Sequence, residues 1–143
     1  MTRKQARQLW IDALHSGNYE QGHGYLHDQS REPTFCCLGV ACDLFIYDLV
    51  EYDVGTQVMT YLGEGGSMPP QLAEILGLDQ KKISILICLN DKEKLTFGQI
   101  AYLLETGLFW SDAPEDVDIA PLLEDLKAQA KKNKNEKEEE NNE

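Results

Sequence analysis

The chain has 143 residues and carries 13 Lys+Arg against 25 Asp+Glu, a formal net charge of −12. That length predicts one domain, and 42% hydrophobic residues are enough for a core. No apolar run approaches the ~18 residues of a membrane helix, and the basic Met1–Gln5 start has no apolar stretch behind it, so neither a membrane span nor a secretory leader is expected.

The charge is uneven. Residues 131–143 hold four Lys and five Glu, which leaves −11 on the remainder. Between Gln8 and Gln80, Arg31 is the sole Lys or Arg, against eleven Asp and Glu. A surface of that sign repels phosphate backbones and anionic lipid, and it favours a basic protein partner. The same acidity also keeps a chain soluble. The four cysteines are Cys36, Cys37, Cys42 and Cys88. Without a leader, a cytoplasmic, reducing compartment is the expectation, with free thiols acting as small hydrophobes.

The chain opens with a predicted helix. Ala6, Trp10, Ala13 and Leu14 form one apolar stripe, with Thr2 as cap and Gly17 as stop. Residues 16–34 are polar and Gly-rich and read as an ordered loop with room for a short hairpin. Residues 35–50, FCCLGVACDLFIYDLV, are the most apolar stretch and predict the central helix, with Thr34 as N-cap. Gly39 inside it costs about 1 kcal/mol relative to Ala, so a close neighbour is expected there. Asp43 and Asp48 lie on this segment. Either they face solvent or they need a donor, for which Arg7 and Arg31 are the candidates.

Val58–Leu62 followed by a Gly-rich turn predicts a strand and half of a small hairpin. Pro69-Pro70 opens a short helix that Gly77 ends. Residues 79–90 fit two periods: Ile83, Ile85 and Ile87 alternate as in a strand, whereas Ile83, Leu86, Ile87 and Asn90 recur as in a helix. Asp79 as a cap favours the helix. Thr96-Phe97-Gly98-Gln99 is a capping box for the next helix, with Gly107 beyond its end. A last helix starts near Pro121. From Lys131 onward the Lys/Glu/Asn composition offers nothing to bury, and the expectation is disorder or, at most, a fraying helical extension.

Few residues suggest chemistry. Cys36 and Cys37 near a helix N-terminus would form thiolate more readily, but His15, His23 and His27 all precede them and no histidine follows. Packing outweighs catalysis for this pair. His23-x3-His27 has helical ligand spacing, yet Gly22 and Gly24 flank it, and C-C-x4-C is poorly spaced for zinc. No metal or cofactor is expected. Asn90-Asp91 resembles the start of a calcium loop, but Leu95 and Ala101 stand where Gly and an acid are required. Phosphate-binding and nucleophile-elbow motifs are absent.

Two segments carry a resemblance: Trp10 to Gln21 as W-x-x-A-L-x-S-G-x-Y-x-Q, and Phe35 to Leu44 as F-C-C-L-G-V-x-C-D-L. Leu89-Asn90-Asp91, then Thr96-Phe97 and Ile100-Ala101, adds a third. The combination resembles a family of small uncharacterised phage and bacterial proteins. The resemblance implies a common fold and a viral or mobile-element origin, and it lends no catalytic residues.

The expected fold is α+β, mainly α: a single domain over residues 1–130, built round a central apolar helix with one small β-hairpin, and a disordered Lys/Glu/Asn tail over 131–143. The expected function is non-catalytic binding of a protein with a basic surface, through the acidic face or the Gly-rich segment 17–30. Trp10, Tyr19, Gln21 and Tyr25 are the candidate recognition residues, since loop aromatics make rigid contacts at low entropic cost. Two other classes stay open. One is a thiol enzyme built on Cys36 or Cys37. The other is a small-nucleotide sponge, for which Arg31 is nearly alone to meet a phosphate.

Overall fold

The computed structural model describes residues 1–141. Helix α1 (Arg3–His15) starts at a reciprocal cap: the Thr2 hydroxyl accepts from the Gln5 amide at 3.1 Å, and the Gln5 side chain accepts from the Thr2 amide at 2.8 Å. Its apolar stripe, Ala6, Trp10, Ile11 and Leu14, is buried. Between those residues sit two buried arginines. Arg3 Nε donates to Ile75 O and Arg7 Nε to Leu76 O, both at 2.8 Å. These carbonyls end α3 (Pro70–Leu76), where helix groups lack partners and the dipole favours a cation. Arg7, one of two candidate donors for Asp43 and Asp48, is thus spent on α3, and Asp43 takes its hydrogen bond from Tyr19 and Asp48 meets Lys127 instead.

Helix α2 (Cys37–Ile46) is the central element and is buried from Cys37 to Cys42. Its N-cap is Cys36, not Thr34, because Thr34 is taken up by a strand. It also ends earlier than its hydropathy predicts. A short 3-10 turn, Tyr47–Leu49, leads into β3 (Val50–Asp53), which pairs with β4 (Val58–Tyr61). The VEYD stretch finds more cross-strand partners in that ladder than a fourth helical turn would offer.

Strands β1 (His27–Asp28) and β2 (Thr34–Phe35) complete a four-stranded antiparallel sheet in the order β2-β1-β4-β3. One hairpin was the expectation, and the sheet is two hairpins joined through β1 and β4. Register sets Phe35, His27, Met59 and Tyr52 side by side across it. Helix α4 (Gln80–Asp91) resolves the ambiguous segment: Ile83, Leu86 and Asn90 are buried while Ile85 is exposed, the helical period. Helix α5 (Phe97–Glu105) begins at the predicted Thr96 box. Helix α6 (Ala120–Asn141) runs on through the Lys/Glu/Asn segment, whose Lys and Glu are strong helix formers. The chain is thus α+β and mainly α, and one buried cluster joins all six helices, from Ala6 to Leu123.

Candidate functional site

The motif residues meet one another in the interior. Asn90 is fully buried at the end of α4. Its Oδ1 accepts from Gln21 Nε2 at 2.9 Å and from the Cys37 amide at 3.2 Å, and its Nδ2 donates to Gly22 O at 3.0 Å. Gln21 Nε2 also donates to Leu95 O at 2.8 Å, and Asp91 accepts from the Gly24 amide at 3.0 Å. The Trp10 indole donates to Cys37 O at 2.9 Å, and the Tyr19 hydroxyl donates to Asp43 Oδ2 at 2.6 Å. The three resembling segments are therefore one hydrogen-bonded assembly that pins the Gly-rich loop to α2 and α4. Sequence reading missed Asn90 as its hub; the signal available was an Asn on the apolar face of a helix.

This moves most candidate recognition residues inside. Trp10 is fully buried, and Tyr19 and Gln21 are half-buried and engaged. Burial, then the bond to Asp43, raises the Tyr19 hydroxyl pKa. Tyr25 remains exposed, as does Arg31 in the β1–β2 loop. No buried side-chain nitrogen or oxygen among the described residues lacks a hydrogen-bond partner.

The thiols are equally committed. Cys36, Cys37 and Cys42 are buried, and Cys36 Sγ accepts from the Gly39 amide at 3.4 Å as the helix cap. Burial pushes the Cys36 thiol up to about 12 and those of Cys37 and Cys42 well above the ordinary range. Loss of solvation outweighs the helix dipole here. Two of the three histidines are engaged elsewhere, and His23 is exposed in the Gly-rich loop. His15 meets Glu105 at 3.0 Å, and His27 stacks on Phe35 at 4.1 Å between ring centroids, with its Nδ1 3.3 Å from the Tyr61 hydroxyl. Burial lowers the His27 pKa, against partial opposition from Asp43 and Asp28.

Strand β3 and the groove beside it are exposed, as are Tyr102 and Leu108 at α5 and just beyond it. Strand β3 is an edge strand, and Tyr47 and Tyr52 are 63% and 52% exposed beside it, among Asp48, Glu51 and Asp53. The distal half of α6 stands across a groove of about 650 Å³ from this edge, over Leu49, Val50 and Leu62. Two ion pairs span the gap: Lys127 Nζ to Asp48 at 3.3 Å and Lys134 Nζ to Glu51 at 3.9 Å. Exposed pairs of this kind contribute about 0–1 kcal/mol each, and no apolar residue follows Ala130 in the described part of α6.

Fold and surface together define a small acidic α+β protein with exposed tyrosines at the β3 edge (Tyr47, Tyr52), on α5 (Tyr102) and in the Gly-rich loop (Tyr25). The chain belongs to the family described as a domain of unknown function (DUF8296), whose model matches residues 2–82. That span takes in α1, the sheet and α2, and it stops before Asn90, which completes the hydrogen-bonded assembly. No curated protein and no solved structure matches the chain.

Proposed function

We propose that this is a non-catalytic, cytoplasmic binding protein, a phage- or mobile-element-encoded accessory that acts by contact with a basic host protein. The observation that supports this most is the division of labour among its residues. Cys36, Cys37 and Cys42, the Gln21–Asn90 assembly and the Tyr19–Asp43 pair are consumed in holding the fold. Tyr47 and Tyr52 on the acidic edge are exposed, and of the carboxylates there Asp48 and Glu51 meet only lysines of α6. Aromatic residues in a polar rim are the usual composition of a contact surface, and an edge strand invites pairing unless charges guard it. Of the two surfaces the sequence suggested, the acidic face is favoured over segment 17–30, whose loop is tied down at Tyr19, Gln21 and Gly24.

The test is affinity capture from the source cell with the full chain and with an Asp48→Asn, Glu51→Gln, Asp53→Asn variant, read by quantitative mass spectrometry. A basic protein recovered by the first and depleted several-fold with the second is the expected result. Equal recovery of every captured protein by both would count against it.

A further inference from the structure

The edge of β3 already holds one helix, and that helix shows what the edge accepts. Lys127, Lys131, Lys134 and Lys137 lie on one side of α6, at i, i+4, i+7 and i+10. Lys127 and Lys134 reach Asp48 and Glu51. Between helix and strand the floor is apolar, formed by Leu49, Val50 and Leu62. The groove is open, and beyond Ala130 the helix side of it is made of charged and amide side chains. Lys127 lies beside Leu126, which packs on the core, whereas beyond Ala130 the helix meets the edge through the Lys134–Glu51 pair, without interlocking apolar contacts. A helix held in this way is exchangeable. Tyr52, on the same strand, stays uncovered.

We infer that the β3 edge and its groove form the docking surface for a lysine-bearing amphipathic helix of the partner protein, and that the lysine face of α6 is an intramolecular competitor for it. This rests on the binding function proposed above and adds its location, the shape of its ligand and a built-in restraint. A partner helix would set its lysines on Asp48 and Glu51 and its apolar side on the groove floor, which α6 cannot cover because its own sequence there is polar. An extended strand added to β3 would be a different mode, with affinity independent of helical lysine spacing.

The probe is a fluorescent alanine-leucine helix of about 18 residues carrying lysines at i, i+4, i+7 and i+10, titrated into the full chain at low salt and read by anisotropy. A peptide of the same composition with scrambled order is the comparison. Lys127→Gln/Lys134→Gln should tighten binding about fivefold or more by weakening the competitor. Lys92→Gln/Lys94→Gln, which makes the same change in net charge far from the groove, should not. Asp48→Asn/Glu51→Gln should abolish most of the affinity. Equal gains from the two lysine pairs, or undiminished binding by the Asp48/Glu51 variant, would overturn the inference while leaving an acidic binding protein standing. Equal binding of ordered and scrambled peptides would overturn the helical ligand. No binding of either peptide to any variant would overturn the inference, while the affinity capture above decides the proposed function separately.

Discussion

Replacing Gly39 by alanine separates helix propensity from tertiary packing. By propensity alone, Gly39→Ala in the first turn of α2 gains at most about 1 kcal/mol. In the folded protein the added Cβ would lie 1.7 Å from Leu26 O and 2.5 Å from Leu26 C, where ordinary contact is 3.4–4 Å. Those are backbone atoms, and they cannot simply retreat. Leu26 is fully buried, its amide donates to Gly65 O at 2.8 Å, and its carbonyl accepts from the Cys36 amide at 3.2 Å. Moving it strains the core, at about 1–3 kcal/mol, and strips a partner from the residue that caps α2, at about 1–3 kcal/mol more. Less the propensity gain, the net loss is about 3 kcal/mol. With a urea slope of about 2 kcal/mol/M, the midpoint should fall by about 1.5 M. The control is Gly98→Ala in α5, where the nearest atom to the new Cβ is 3.9 Å away; it should be neutral or slightly stabilising. Circular dichroism in urea measures both. If Gly39→Ala matched or exceeded the wild type while Gly98→Ala behaved as expected, the close approach of α2 to Leu26 would be wrong.

Asn90→Ala should cost about 2–4 kcal/mol, since it strands Gly22 O and the Cys37 amide at once; faster amide exchange over residues 22–24 should accompany the lower urea midpoint. Native protein treated with iodoacetamide near pH 8 should label at the half-buried Cys88 first, with Cys36, Cys37 and Cys42 protected until unfolding; rapid labelling of Cys36 in mass spectra would restore the thiol-enzyme reading. His27 has a folded pKa below its unfolded one, so the unfolded chain takes up its proton first as pH falls. Its contribution is complete above the unfolded value of about 6.5 and declines as pH drops toward the folded pKa. His27→Gln should therefore flatten the acid side of the urea-midpoint profile below pH 6.5, and an unchanged slope there would refute it.

Much of the architecture is legible in the chain because short-range signals decide it. Thr2 and Thr96 cap helices through side chains three residues away, Asp79 and Gly77 mark a start and a stop, and the Gly39 contact is announced by a glycine where a better helix former would otherwise stand. These depend on neighbours within one helical turn. The end of α2 and the identity of its cap depend on strand partners beyond one helical turn, the joining of the two hairpins on β1–β4 pairing, and the fates of Tyr19, Gln21 and Arg7 on partners 24 to 70 residues away. Local pattern favours a helix through Val50, and cross-strand pairing with β4 overrides it. Likewise, an aromatic or amide side chain in a Gly-rich loop reads the same whether it faces solvent or completes a buried network. Only the packing of α2 against α4 supplies Asn90 and Asp43 as its partners, and so turns expected contact residues into internal supports.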